Sequence, residues 1–238
     1  MKPIDFEKLI ISEDENYIFI NKPSHISTLD ERTGEGESIL RLAKKYHFDA
    51  QTCHRLDKET SGILAIAKNP DAYRFMSLKF QNREISKRYH AVVDGIHQLK
   101  DRMVDLPITP LQKGIVKIDR AEGKEAQTIF NTAEIFRKHT LLECQPITGR
   151  MHQIRIHLAC LQASIVSDIQ YGGKMLYLSE IKRNFKLKKN TDEQPLISRI
   201  ALHARSLTFE NDKNEKVQIQ AEYPKDMAAL LKQLRQND

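Results

Sequence analysis

Residues 54–62 place a carboxylate and a cation directly before an apolar run. The segment reads His-Arg-Leu-Asp-Lys-Glu-Thr-Ser-Gly, and residues 63–67 that follow are Ile-Leu-Ala-Ile-Ala. Asp57 lies two residues after Arg55, and the turn-forming Thr60-Ser61-Gly62 leads into what the pattern predicts to be a buried strand. A carboxylate at the start of a strand can serve as a nucleophile, acid or base. In a basic chain, this arrangement suggests chemistry on a polyanion.

A second segment, residues 148–168, offers an arginine on a short helix. If residues 150–161 are helical, His152 and Arg155 are three positions apart and share a face. Arg155 could then pair with Asp57, and a neighbouring cation lowers a carboxylate's pKa by about 1–3, which keeps it ionised. A purely structural buried ion pair remains open as the alternative.

The third segment is Lys87-Arg88-Tyr89, within a predicted strand over residues 86–94. A tyrosine in a strand usually packs against a core. Near a carboxylate, Tyr89 could instead stack on an extruded base and move a proton. The residues alone leave both interpretations open.

Together these segments resemble the RluA-like family of RNA pseudouridine synthases. The resemblance rests on His54-Arg55-Leu56-Asp57 with Thr60-Ser61-Gly62, on Lys87-Arg88-Tyr89, and on residues 149–157, Gly-Arg-Met-His-Gln-Ile-Arg-Ile-His. Weaker landmarks follow in the family's order: Asn21-Lys22-Pro23, Asp168 with Tyr171-Gly172-Gly173, and Leu202-His203-Ala204. The similarity runs from about residue 9 to residue 226.

The resemblance implies isomerisation of uridine to pseudouridine in RNA, without a metal or an organic cofactor. By position, Asp57 matches the catalytic aspartate, Tyr89 the active-site tyrosine, and Arg155 the arginine that pairs with the aspartate. Arg55 matches a residue that helps to displace the target base. The remaining motif residues expected to bind substrate are His54, Thr60, Arg150 and His152.

Uridine isomerisation breaks the N1–C1′ bond, turns the uracil and rejoins it through C5. A carboxylate can attack C1′ or assist loss of the 2′ proton to give a glycal-type intermediate, and the sequence leaves both routes open. Either route needs the base outside the helix, with cations on the flanking phosphates. Because unstacking costs about a few kcal/mol and less in a loop, we expect a loop or bulge uridine in ribosomal or transfer RNA.

The chain departs from the family pattern at a few positions. Met151 stands where a small hydroxyl residue is usual, and His25 where glycine is common after Asn21-Lys22-Pro23. Ser164 and Ser167 replace the proline and glycine often found before Asp168. Met151 predicts the loss of a polar contact near the site, and the two serines predict a different turn ahead of Asp168. None of the departures touches Asp57, Tyr89 or Arg155.

The secondary-structure signals favour an α+β fold with a mixed, mainly antiparallel sheet, helices and loops around a central active-site cleft. The predicted strands cover residues 9–12, 17–22, 62–68, 86–94, 114–118, 125–136, 139–145, 200–210 and 216–222; the predicted helices cover 38–46, 71–82, 150–161 and 224–234. Strands that follow one another without regular intervening helices argue against a doubly wound parallel sheet. A basic insertion near residues 174–195 reads either as a solvated surface segment or as an arm that contacts phosphates.

Composition sets the broad class. The chain has 238 residues, 40% of them hydrophobic, and a formal charge of +6, which fits a phosphate-rich partner such as RNA. Three widely spaced cysteines argue against a disulfide framework. We expect a single catalytic domain over residues 1–238, without an N-terminal RNA-binding domain, a membrane segment or an obligate protein partner, located in the cytoplasm.

Three rival functions differ in what they require. A zinc pair on one helix prefers a spacing of four, whereas His152 and His157 are five apart. A serine hydrolase built on Ser61 would lack the G-x-S-x-G elbow. A non-catalytic RNA-binding protein on the same fold is the main alternative, since its RNA binding would survive Asp57→Asn although no product would form.

Overall fold

The structure is a computed structural model that describes residues 4–31, 36–187 and 190–238. Its strands are β1 (Ile10–Glu13), β2 (Tyr17–Lys22), β3 (Gln51–Thr52), β4 (Ser61–Ala67), β5 (Ser86–Asp94), β6 (Arg102–Asp105), β7 (Ile108–Pro110), β8 (Val116–Ile118), β9 (Gln127–Ile135), β10 (His139–Pro146), β11 (Leu202–Glu210) and β12 (Lys216–Gln220). Its α-helices are α1 (Ile39–Tyr46), α2 (Pro70–Gln81), α3 (Gln153–Cys160), α4 (Leu178–Ile181) and α5 (Lys225–Gln236). The predicted α+β class with a mainly antiparallel sheet is confirmed.

The described chain forms two units, and the backbone passes from one to the other within β5, within β11 and after Glu222. The first unit comprises residues up to Lys87 together with Ala204–Glu222. Its strands lie in the order β1-β2-β4-β11-β12, with β3 also paired to β4. All seven residues of β4 are buried, as its uninterrupted apolar sequence predicts for a central strand.

Side-chain caps set where the two helices of the first unit begin. The Ser38 side chain accepts a hydrogen bond from the Arg41 N–H and starts α1. The Asn69 side chain does the same for the Ala72 N–H, and Pro70 supplies the first residue of α2. These are local signals, and the sequence predicted both helices to within a few residues.

Gly62 allows β4 to lie against β11 at close range. Its φ of +118° is open only to glycine, and a Cβ there would come within 2.3 Å of the Ala204 carbonyl oxygen. We expect Gly62→Ala to lower the free energy of unfolding by about 3 kcal/mol or more, because backbone strain and a backbone clash add. Denaturant unfolding measures this.

Gly36 provides the matched control. It also has a positive φ, +86°, but a Cβ there would meet nothing within 4 Å. Gly36→Ala should therefore cost about 1 kcal/mol, the strain alone. Equal losses in the two variants would contradict the proposed close contact at Gly62.

The second unit comprises Arg88–His203 and Tyr223–Asp238. Its sheet has the order β5-β10-β9-β6, and β7 and β8 form a separate hairpin. Helices α3 and α5 bury Ile154, Leu158, Leu230 and Leu231 in the same apolar core as β5 and β10. Arg199, 1% exposed, joins α5 to this core through a two-point ion pair with Asp226 at 2.7 and 3.0 Å.

Two of the residues that depart from the family pattern have a left-handed backbone conformation. His25 has a φ of 65° and Ser167 also has a φ of 65°, so the positions where the family favours glycine require that geometry here as well. An L residue costs about 1–2 kcal/mol in this region. The Ser167 hydroxyl recovers part of that cost by donating to the Ile197 carbonyl at 2.8 Å, whereas the exposed His25 side chain forms no hydrogen bond within the described residues.

Glycine at position 25 is therefore expected to stabilise the protein. We predict that His25→Gly raises the free energy of unfolding by about 1 kcal/mol, measured by denaturant unfolding. Ser167→Gly should leave it nearly unchanged, because the lost hydrogen bond offsets the relieved strain. A stabilisation confined to Ser167→Gly would refute this explanation.

The structure differs from the sequence predictions at a few element boundaries. Helix α3 begins at Gln153 rather than residue 150, because His152 takes left-handed backbone with a φ of 51°. The short strands β3, β6 and β7 and the one-turn α4 were not predicted. Within the predicted basic insertion, Lys188 and Lys189 lie outside the described residues.

Candidate active site

Asp57 lies in the loop between β3 and β4 of the first unit, and hydrogen bonds fix the backbone on both sides of it. The hydroxyl of Thr28 accepts from the Leu56 N–H at 3.1 Å and donates to the Leu56 carbonyl at 2.9 Å. After Asp57, the Thr60 N–H donates to the Asp57 carbonyl at 3.1 Å and closes a turn. Leu56 is 4% exposed and anchors the loop. The position of Asp57 is thus set by its neighbours' backbone.

Lys22 holds the same loop through hydrogen bonds from its ammonium group. Its side chain is fully buried, and its ammonium donates to the carbonyls of Pro23 and Ile26 at 2.9 Å each and of Lys58 at 3.3 Å. Buried ammonium groups require such partners because desolvation is costly. Lys22 therefore ties the segment after β2 to the residue that follows Asp57. Sequence reasoning treated Lys22 only as a landmark, since nothing local signals a buried lysine.

The other first-unit candidates have different environments. Nε2 of His54 accepts from the Ala65 N–H at 3.1 Å, and burial lowers the pKa of His54 to about 3, with Lys87 adding to the effect. His54 is therefore neutral and supports β4. Thr60 is 2% exposed, and within the described residues its hydroxyl has no hydrogen-bond partner. Arg55 is exposed to solvent.

Tyr89 lies on β5 of the second unit, opposite Cys144 of β10. Its half-buried ring packs against the apolar core. The adjacent Arg88 is exposed and forms an ion pair with Glu143 at 2.7 Å. The structure thus gives Tyr89 the core packing expected of a strand tyrosine, and its proposed contact with a base stays a prediction.

Arg155 is held on α3 by a buried cluster from the loop after that helix. Its Nε and Nη2 donate to the two carboxylate oxygens of Asp168, each at 2.7 Å, and Nη2 also donates to Gln170 at 2.9 Å. The Tyr171 ring lies 4.8 Å from the guanidinium carbon. Arg155 is 6% exposed and Asp168 is 1% exposed, so this pair is shielded from water.

Asp168 is the partner that sequence reasoning did not assign to Arg155. The resemblance placed Asp168 among the weaker landmarks, and the two residues are thirteen positions apart. The predicted Arg155–Asp57 pair stays a prediction. A guanidinium carries five N–H donors, so a bidentate contact with Asp168 is compatible with a further acceptor.

Tyr171 also links His152 to the β7–β8 hairpin. Its hydroxyl accepts from the Val116 N–H at 3.0 Å and lies 2.9 Å from His152 Nδ1. The donor in the second contact is set by the tautomer of His152. Arg150, two residues earlier, is exposed and donates to the Glu125 carbonyl at 3.0 Å. His152 is thereby oriented by the same side chain that covers Arg155.

Gln153 fixes the loop that leads into α3. Its Oε1 accepts from the Thr148 hydroxyl at 2.7 Å and from the Arg150 N–H at 3.0 Å. Its Nε2 donates to the Gln127 carbonyl at 2.9 Å and to the Thr128 hydroxyl at 3.0 Å. Gln153 is 3% exposed, and all of its amide atoms are engaged. It ties the first residue of the Arg155 helix to β9, a role that sequence reasoning missed.

The residues that the structure describes lack both a cluster of metal ligands and a helix suited to a membrane. Residues 4–31, 36–187 and 190–238 contain no group of three or more His, Cys, Asp or Glu side chains arranged to hold a metal ion. None of the helices in the same ranges has the length and apolar character needed to cross a membrane.

Comparisons with known proteins agree with the motifs. A family model described as RNA pseudouridylate synthase matches residues 16–160. Ribosomal large subunit pseudouridine synthase C of Buchnera aphidicola subsp. Baizongia pistaciae is 36% identical over 90% of this chain and 66% of that protein's length. Ribosomal large subunit pseudouridine synthase D of Vibrio cholerae is 31% identical over 96% of this chain and 71% of that protein.

A solved structure shows the same fold. Human RNA Pseudouridylate Synthase Domain Containing 4 superposes with a TM-score of 0.72 at 24% identity, covering 97% of this chain and 94% of that one. The family match and the relatives together settle the assignment: the chain belongs to the RNA pseudouridylate synthase family.

Proposed function

We propose that this protein isomerises uridine to pseudouridine in ribosomal RNA of the large subunit, with Asp57 as the catalytic carboxylate. Membership of the family makes the chain an RNA-modifying isomerase. The choice of ribosomal over transfer RNA is supported by the names of the relatives. The observation that carries the role of Asp57 is its loop, which Thr28, Lys22 and Thr60 hold by backbone contacts on both sides of the carboxylate.

The reaction changes bonding without changing composition. The N1–C1′ bond breaks, the uracil turns, and a C5–C1′ bond forms; the hydrogen on C5 is then lost as a proton while N1 gains one. Asp57 serves this sequence either by attacking C1′ or by assisting loss of the 2′ proton. Both roles require an ionised carboxylate of fixed position, which a rigid loop provides without reorganisation during the reaction.

The remaining motif residues have proposed roles that their positions in the family motifs imply. Arg155 supplies a fixed cation for the reacting carboxylate, because Asp168, Gln170 and Tyr171 hold its guanidinium. Tyr89 contacts the extruded base, and the exposed Arg55 interacts with the strand from which that base is displaced. The substrate-binding residues are proposed to be His54, Thr60, Arg150 and His152.

Release of tritium from C5 tests this proposal. Large-subunit ribosomal RNA and total transfer RNA would each be transcribed with [5-³H]uridine and incubated with the purified protein. We expect release of tritium to water from the ribosomal RNA, in proportion to the pseudouridine found by nucleoside analysis. Release from transfer RNA alone would refute the ribosomal assignment, and binding without release from either RNA would refute catalysis.

A further inference from the structure

The basic segment, residues 174–187, is anchored to the second unit by apolar side chains. Leu176 is 3% exposed and Ile181 is 6% exposed, and both lie in the core that also contains α3 and α5. The Leu196 N–H donates to the Leu176 carbonyl at 2.8 Å, and Glu193 accepts from the Ser179 N–H at 2.8 Å. These contacts hold the described part of the segment in place on the protein surface.

The cations of this segment point outward and are not neutralised. Its exposed basic residues are Lys174, Lys182, Arg183 and Lys186. Over the described ranges of the chain, none of the four takes part in an ion pair, unlike Lys58, which pairs with Glu31 at 2.7 Å. Glu180 is the acidic residue of the segment. A local excess of positive charge therefore faces solvent.

The basic segment starts at the loop that holds Arg155. The Ser167 N–H donates to the Lys174 carbonyl at 2.8 Å, directly before Asp168, and the Gly173 N–H donates to the Asp168 carbonyl at 2.8 Å. A Cβ at Gly173 would lie 2.0 Å from the Ile165 carbonyl oxygen, so the backbone packs too closely here for any residue but glycine. The segment is thus joined rigidly to the ion pair of Arg155.

We propose that the basic segment is a docking surface for the sugar-phosphate backbone of the substrate RNA. Unpaired surface cations gain most from phosphates, because binding releases counterions without first breaking a protein ion pair. Its apolar anchors are turned inward, and apart from Leu187 the exposed side chains are polar, which fits a polyanion better than an apolar protein surface. That the partner is RNA rests on the proposed function. The positive charge of the basic segment and its apolar anchoring are observed independently of that function.

The salt dependence of RNA binding tests the docking surface. The variant K182Q/R183Q/K186Q would be compared with its parent, both carrying Asp57→Asn so that no product forms, on a large-subunit ribosomal RNA fragment. Each lost phosphate contact lowers the slope of log K against log salt concentration by about 0.7–0.9. We expect a slope smaller by about 2 and an affinity about 10-fold to 100-fold weaker near 0.1 M salt.

A control with the same charge change separates docking from net charge. K213Q/K216Q/K232Q removes three exposed lysines that lie outside the segment and form no ion pair in the described ranges. It should change the slope by less than 1, and thermal unfolding should show both triple variants folded. Equal slope changes in the two triples, or none in the first, would overturn the proposal.

Steady-state kinetics test the docking surface separately from the proposed function. In the otherwise wild-type enzyme, K182Q/R183Q/K186Q should raise KM for RNA about 10-fold or more and leave kcat within about 2-fold, since it removes uniform binding. A fall in kcat at unchanged KM would contradict a docking role. If the wild-type enzyme releases no tritium, the proposed function is wrong. The salt dependence of RNA binding by the two triple variants would still show whether the basic segment is a docking surface.

Discussion

Asp57→Asn is expected to abolish isomerisation while leaving the fold and RNA binding intact. The amide matches the carboxylate in shape but can neither attack C1′ nor accept a proton at neutral pH. The loop should survive, because Thr28, Lys22 and Thr60 hold it through backbone groups that the substitution leaves in place. Single-turnover tritium release should fall by roughly 10⁴-fold, the upper end of what a positioned acid or base contributes.

Glu59→Gln in the same loop is the matched control. It changes a carboxylate to an amide two residues after Asp57 and should leave single-turnover rates within about 3-fold of wild type. RNA affinity and denaturant midpoints should agree among the three proteins. A rate for Asp57→Asn above a tenth of wild type, or an equal loss in Glu59→Gln, would remove Asp57 from the catalytic role.

The second large effect is expected at Asp168. Asp168→Ala would leave the guanidinium of Arg155 buried without its two-point partner, although Gln170 and Tyr171 remain. Breaking a buried pair from one side costs about 3–5 kcal/mol. We expect the free energy of unfolding to fall by about that amount, as measured by denaturant unfolding. By contrast, Glu134→Ala breaks the more exposed pair with Arg235 and should cost less than about 1 kcal/mol.

A double variant distinguishes the structural role of this pair from its catalytic one. R155M/D168L removes both charges, and replacing a buried pair by apolar groups recovers much of the stability lost in the single variant. The double variant should therefore fold but remain inactive, because Arg155 is absent. Wild-type turnover in R155M/D168L would refute the proposed role of Arg155, and wild-type stability in Asp168→Ala would refute its structural one.

The elements that sequence reasoning located best are those with local signals. The apolar run before Ala67 identified β4 to within one residue, and Asn69-Pro70 identified the start of α2, because capping and burial patterns act within a few positions. The start of α3 was misplaced by three residues, because Gly149 suggested an earlier start than the left-handed His152 permits.

The supports of the candidate site were harder to predict because they depend on contacts between distant positions. Lys22 acts on Lys58 across thirty-six positions, and Gln153 acts on Gln127 across twenty-six. Asp168 reaches Arg155 because residues 161–167 return the chain to α3 through a turn in which the Asp168 N–H donates to the Ile165 carbonyl at 3.0 Å. No propensity or spacing rule signals a buried lysine or a glutamine with every amide atom engaged. The motif residues could therefore be named from the sequence, but the residues that hold them in place could not.

Pseudouridine mapping in cells tests the central claim most directly. Carbodiimide-dependent reverse-transcription stops would be mapped across all cellular RNA in cells that lack this protein and in the same cells supplied with wild type or Asp57→Asn. We predict that one or more stops in large-subunit ribosomal RNA disappear without the protein, return with wild type, and stay absent with Asp57→Asn. Stops that persist without the protein, or that Asp57→Asn restores, would contradict the assignment of Asp57 as the catalytic centre of a ribosomal RNA pseudouridine synthase.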